Sequence, residues 1–239
     1  MTTLVEQCIA ATGAAWARYE DHPWFAALEA GTLPIEQFVR FQVEDAPFIP
    51  YLHQTIALGL AKAPVGSAWS RAAATLLSDV FVAKELDAKR QIIESLGVRA
   101  PRLDRWALSP RREAYANHLL RAALEGNAAD VAAALLPCTF FTRVVGRRFA
   151  TVDIRGPEAY RRWARIYADK QMFHMLEAHA ELMEWEVARE PTRRAELIRL
   201  FVRSAQHQVA VFDDALTPGP GWPAVAHPEL VPVAVALTR

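Results

Sequence analysis

Cys138 follows Pro137 in the run ALLPCTFFTR, residues 133 to 142 of an otherwise unbroken helical pattern. A proline inside a helix donates no amide hydrogen and clashes one turn back, so a break or bend is expected there. A thiol beside such a defect is either a small buried hydrophobe or a nucleophile. As a nucleophile it must ionise, which takes a nearby cation, a helix N-terminus or a base. Asp45 is the second candidate. Phe38, Phe41, Phe48 and Leu52 recur near multiples of 3.6 residues from it. This spacing puts Asp45 on an apolar face, where a carboxylate needs a partner. A third grouping is FHMLEAH, with His174, Glu177 and His179, together with Glu85 on the long helix before it. His174 and Glu177 can share a helix face, but His179 is less well placed, and a solvated face is expected. There is no glycine-rich phosphate loop and no Ser-His-Asp pattern.

The elements that must position these residues read as helix after helix. Residues 2–20 carry Leu4, Cys8, Ile9, Ala11 and Trp16 at helical spacing. A short helix over DHPWFAALEAG closes at Gly31, where a left-handed cap is easiest. Thr32 near the N-cap and Pro34 in the first turn restart the chain toward Lys62, with interruptions at Pro47 and Pro50. An amphipathic stretch from Ser67 to Leu96 ends at Gly97, and VRAPRLDRWALSP is a loop. Ser109-Pro110 opens a helix to about Glu125, and GNAAD turns into the helix that bears Cys138. Further helices start near Pro157, over DKQMFHMLEAHAELMEWEVA, and over roughly 192–216, before a proline-rich tail. Only VPVAVAL alternates like a strand, and one strand makes no sheet. The expectation is one all-α bundle of about eight helices. Helix bundles build small-molecule sites from side chains on facing helices.

Composition narrows the function. Lys plus Arg and Asp plus Glu are 27 each in 239 residues, so no basic excess points to a nucleic acid. No apolar run suggests a bilayer span, and the N-terminus lacks the layout of a signal peptide. Cys8 and Cys138 are too few and too far apart for a disulfide framework or a zinc site. A cytoplasmic protein with free thiols is expected.

Four stretches, in order, resemble the TenA family, the thiaminase II or aminopyrimidine aminohydrolase group. They are HPWFAALEAGTLPIEQFVRFQVED, SPRREAYANHLL, ALLPC and YRRWARIYAD, and the likeness in order and spacing runs from about residue 10 to 216. The resemblance implies a heme-oxygenase-like α-bundle over residues 1–217 followed by a tail at 218–239. It also implies a homo-oligomer, usually a tetramer, and cofactor-independent hydrolysis of thiamin or its aminopyrimidine breakdown products. By position, Cys138 is then the nucleophile, Asp45 anchors the pyrimidine amine and ring nitrogen, and Tyr115 and Tyr167 line the pocket. Sulfur would attack an electron-poor pyrimidine carbon, the amine or thiazole would leave, and water would finish the hydrolysis.

Four positions depart from the family pattern. Phe48 stands where a tyrosine is expected three residues after the aspartate, and Thr142 where one is expected four after the cysteine. The catalytic glutamate of the last helix falls on Gln208, with Phe212 where a tryptophan is usual. An amide cannot accept and return a proton, a deficit of about 10²–10⁴-fold in rate. His207 is adjacent to Gln208 but points about 100° away around the helix. The alternatives are therefore a small-molecule-binding homologue without turnover and a metal-dependent oxidase of the same fold. For the latter the expected Glu-x₆-His is missing, since Ile92 stands seven after Glu85. No metal and no cofactor are expected.

Overall fold

The computed structural model describes residues 2–78, 81–99, 107–168 and 173–223. Among the described residues there are twelve α-helices and no strand. The count exceeds the expected eight in part because Gly13 and the Pro47/Pro50 pair divide runs that hydrophobic spacing alone reads as continuous; α6 and α7 are counted apart because positions 79–80 lie outside the described residues. α1 (Leu4–Thr12) starts at a Thr3 cap reciprocated by Glu6. It ends at Gly13, whose φ of 60° is open to glycine at little cost, and α2 (Ala14–Glu20) follows. α3 (Pro23–Ala30) closes on Gly31 in the left-handed region, as the spacing predicts.

α4 (Ile35–Asp45) differs slightly from expectation. Pro34 itself is the N-cap, and the Thr32 hydroxyl donates back to the Ala27 carbonyl. A 3₁₀ turn at Ala46–Phe48 joins α4 to α5 (Ile49–Lys62), with Pro47 and Pro50 each in a first turn, where a missing donor leaves no bond unmade. This change of helical pitch falls directly after Asp45. α6 (Ala68–Ser78) and α7 (Phe81–Glu94) occupy the long amphipathic stretch. α8 (Pro110–Glu125) begins at a Ser109 cap that accepts from the Arg112 amide.

α9 (Ala128–Thr151) is the centre of the bundle and packs against α8, α10 (Glu158–Ala168), α11 (Phe173–Arg189) and α12 (Arg194–Leu216). It runs through Pro137 without interruption, so of the expected break or bend there is no break. An interior proline costs a helix about 3 kcal/mol. Here nearly every α9 side chain from Ala128 to Leu136 is buried, and each large apolar side chain buried returns roughly 1.5–3 kcal/mol. The Pro137 carbonyl also accepts the Tyr19 hydroxyl at 2.7 Å. α9 reaches the length and mean hydropathy of a membrane span (1.5), which the sequence did not suggest; 88% of that window is packed inside the protein.

Beside α9 lies a cluster of rings. Trp24 and Phe25 of α3, Phe41 of α4, Phe141 of α9, Trp163 of α10 and Phe212 of α12 pack with centroids 4.7–6.4 Å apart. This cluster fixes the walls around Asp45 and Cys138. Past α12 the chain is irregular to residue 223, where Trp222 donates to the Leu108 carbonyl at 2.9 Å. The VPVAVAL stretch and the rest of the tail lie outside the described residues.

Candidate active site

A cavity of about 80 Å³ opens where α4, the 3₁₀ turn and α5 face α6 to α12, several times the space one water needs. Asp45, Phe48, Glu85, Arg112, Cys138, Tyr167, His179 and Gln208 all reach its wall. They stand on different elements, brought together because each of those helices turns its apolar stripe inward.

Asp45 sits at the C-terminal end of α4, and both of its oxygens are occupied. Lys89 Nζ lies 2.5 Å from Oδ2 and Arg112 Nη2 lies 2.8 Å from Oδ1. The sequence correctly puts Asp45 on an apolar face, but its partners are these two protein cations rather than a ligand alone. Burial would raise the Asp45 pKa; Lys89 and Arg112 outweigh it and hold the carboxyl below its ordinary value. Burial also opposes the Lys89 charge, yet Asp45, Tyr167 and Glu85 keep the ammonium protonated above its usual range. Lys89 Nζ further donates to the Tyr167 hydroxyl at 3.2 Å. Sequence reasoning missed both cations. A signal was present, since Arg112 is three residues before Tyr115 and Lys89 four after Glu85, spacings that share a helix face.

Phe48, in the place of the expected tyrosine, supports Arg112 with its ring face. The guanidinium carbon is 4.7 Å from the ring centroid, a cation–π contact. On its other contact Phe48 stacks against Tyr115 at 5.0 Å and 19°. Tyr115 is fully buried one layer behind the cavity and is not on its wall. Its hydroxyl accepts from Gln208 Nε2 at 3.2 Å, and His207 stacks on its ring at 5.4 Å. Burial draws the His207 pKa down to about 4.

Cys138 is half-buried and faces the cavity. Burial first, then Asp45, pushes its thiol up to about 12, against the pull of Arg112 and a hydrogen bond with Gln208. The group is a thiol at neutral pH and needs a base to become a nucleophile. Thr139 lines the wall beside it and donates to the Leu135 carbonyl. The Thr142 side chain lies outside the described residues. Gln208 is buried on α12 between Cys138 and Tyr115, and Phe212 stacks on Phe41 at 4.9 Å to close that end.

The FHMLEAH reading needs correction at its last residue. Glu177 is exposed as expected, but His179 is 1% exposed and lines the cavity. Its Nδ1 accepts the Trp69 indole N–H at 2.8 Å, which leaves the proton on Nε2. Burial draws its pKa down to about 3, so the ring is neutral at physiological pH. Packing against α6 is what buries it, and helical spacing within α11 does not reveal that. The His174 side chain lies outside the described residues. Among the described residues no group of three or more His, Cys, Asp or Glu is placed to hold a metal ion.

The model of the TENA/THI-4/PQQC family matches residues 10–217. The chain belongs to that family. Within it, the chain is 26% identical over 209 residues to an aminopyrimidine aminohydrolase of Bacillus subtilis (strain 168), covering 85% of each protein. It is 20% identical over 202 residues to an aminopyrimidine aminohydrolase of Helicobacter pylori, covering 84% of this chain and 92% of that one. A TenA family transcription regulator from Silicibacter sp. TM1040 superposes with a TM-score of 0.78 at 24% identity, covering 90% of this chain and 97% of that one. A TenA homologue from P. horikoshii OT3 gives 0.77 at 19% identity, covering 91% and 100%. The all-α, heme-oxygenase-like fold expected from the resemblance is the fold of this TenA family member.

Proposed function

We propose that this TenA family member hydrolyses an aminopyrimidine, thiamin or one of its breakdown products, with Cys138 as the nucleophile. The observation that carries the reading is that Cys138, Asp45, Tyr167 and Gln208 share one cavity wall. Each Asp45 oxygen keeps a lone pair beyond those used by Lys89 and Arg112, so it can still accept from an amino group and a protonated ring nitrogen. The apolar faces of Phe41, Phe48 and Phe212 suit a flat ring.

In the first half-reaction, sulfur bonds to an electron-poor ring carbon while the exocyclic carbon–nitrogen bond breaks. The amine leaves with that electron pair and takes up the proton the thiol gave away. In the second, water places hydroxyl on the exocyclic carbon, its remaining proton returns to sulfur, and the sulfur–carbon bond breaks. The products are a hydroxymethyl pyrimidine and ammonia; where thiamin is the substrate, the neutral thiazole leaves with the electron pair and no proton, and the thiol's proton passes to solvent.

Turnover of thiamin and of 4-amino-5-aminomethyl-2-methylpyrimidine by purified protein tests this. Wild type is expected to release product and Cys138→Ser to lose at least ~10³-fold in kcat. Equal turnover by both would overturn the nucleophile. A second reading, a pyrimidine-binding protein without turnover, is favoured by one observation: Gln208 is fixed between Cys138 and Tyr115 as an amide that transfers no proton. Tight binding with no product from wild type would select it.

A further inference from the structure

With Gln208 on the last helix the cavity has no carboxylate there to serve the thiol, and most of the other titratable groups on the wall are already committed. Asp45 is held ionised by two cations, Lys89 Nζ at 2.5 Å and Arg112 Nη2 at 2.8 Å. Lys89 is held protonated, and the Arg112 guanidinium does not titrate in proteins. Burial raises the Tyr167 phenol. His179 is neutral, with its Nδ1 occupied by Trp69.

Glu85 is different. Its side chain is 14% exposed and lies on the same wall as Cys138. The ammonium it faces, Lys89 Nζ, stands at 3.7 Å, outside normal hydrogen-bond length, because Asp45 draws that ammonium to 2.5 Å. We propose that Glu85 is the proton carrier of this cavity, doing from α7 what Gln208 cannot do from α12; the inference rests on the aminopyrimidine reading for its substrate.

The groups that face Glu85 are Lys89 on its own helix, Asp45 on α4, Cys138 on α9 and Tyr167 on α10. Burial raises its pKa, Lys89 lowers it and Asp45 raises it, and the sum is upward. Two carboxyls on one wall are thus driven apart, Asp45 down and Glu85 up, which divides the tasks of fixed charge and proton transfer. In the first half-reaction the Glu85 carboxylate takes the Cys138 proton and hands it to the departing amine. In the second it takes a proton from water and returns it to sulfur. Glu85 ends each half-reaction ionised, and no further reactant is needed.

Two measurements on the intact chain test this. The first needs no substrate: alkylation of Cys138 by iodoacetamide, read by peptide mass across pH 5–10, for wild type and Glu85→Gln. Electrostatics alone predicts that Glu85→Gln alkylates faster, since the Glu85 charge pushes the thiol up. A proton carrier predicts the reverse. Wild type should show an inflection below the thiol's own titration, and Glu85→Gln should lose it and react about 10-fold or more slowly near neutral pH. Equal or faster alkylation of Glu85→Gln, with an unchanged profile, overturns the proposal.

The second is aminopyrimidine turnover by wild type, Glu85→Gln, and Glu85→Gln with Gln208→Glu. Expected are a loss of about 10²–10⁴-fold in kcat with KM little changed, and recovery when the last-helix carboxylate is restored. Wild-type kcat in Glu85→Gln refutes the carrier. A wild type that turns over no aminopyrimidine, together with the expected alkylation result, refutes the substrate reading and leaves the carrier standing. Thermal melts of each variant separate these outcomes from misfolding.

Discussion

Tyr115 and Gln208 illustrate how a residue's type can be legible while its role is not. The resemblance puts Tyr115 in the pocket lining, yet it stands behind the wall and receives the Gln208 amide at 3.2 Å. Its work is to fix the orientation of that amide and to carry the Phe48 ring. Removing the hydroxyl leaves a buried N–H without its acceptor, which costs about 1–3 kcal/mol. Tyr115→Phe is therefore expected to lower stability by that amount in urea unfolding. Adding Gln208→Leu should cost less than the sum of the two single changes, because no orphaned amide remains. Strict additivity would mean that the bond contributes nothing. The same scale shows why the sequence missed Lys89. A fully buried lysine looks like any other lysine until the carboxylate it serves is known to face it from another helix.

Element boundaries were legible wherever a backbone constraint is local. Ser109-Pro110, Gly31 and the Pro47/Pro50 interruption all fall where the sequence puts them, because capping, positive φ and a missing donor act within one turn. Pro137 does not break its helix, because its fate depends on the burial of a whole helix, which one sequence does not display. Gly31 also carries a tertiary burden that its neighbours do not announce. A Cβ there would meet the Arg155 carbonyl carbon and the Gly156 nitrogen at 2.8 Å, where the end of α3 touches the turn into α10. The Arg155 amide donates to Glu29 at that contact, and α10 carries Tyr167 and Trp163 onward to the cavity. Gly31→Ala should thus cost more than its left-handed φ alone, by about 1–3 kcal/mol. Gly97→Ala is the control: it closes α7 at a φ of 81° with the next amide bonded five residues back, as at Gly31, and nothing lies within 4 Å of the added carbon; the left-handed strain there is about 1–2 kcal/mol. Equal losses in the two variants, measured by chemical unfolding, would show that the α3–α10 contact relaxes freely.

Across the whole molecule, one carboxylate ties α4 to α7 and α8, since Asp45 is bonded by Lys89 from one and Arg112 from the other. The all-α class was readable from helical spacing and the family from motif order. This tie was not, because it joins residues 44 and 67 positions apart. Its pH dependence follows from the direction of each shift. Asp45 is depressed, so its contribution is fully present above the unfolded carboxylate value of about 3.9 and is lost as pH falls through its folded value. Lys89 is raised, so its contribution is present below about 10.4 and fades only as pH climbs through its folded value. Glu85 is displaced upward in part by Asp45 itself, so its shift is smaller in an Asp45 variant, and Glu85→Gln is placed in both proteins to remove it from the comparison. Comparing the two proteins therefore brings out Asp45. Asp45→Asn leaves two buried cations short of their counter-charge, and at pH 7 it should cost about 3–5 kcal/mol. Urea midpoints at pH 7, 5 and 3 should show the gap between the proteins nearly constant from 7 to 5 and narrowing at 3, as wild type begins to lose its own ionised carboxyl. A gap below about 1 kcal/mol at pH 7 would mean that Asp45 serves the ligand and not the fold. A gap as wide at pH 3 as at pH 7 would mean that its two hydrogen bonds, rather than its charge, hold the three helices together.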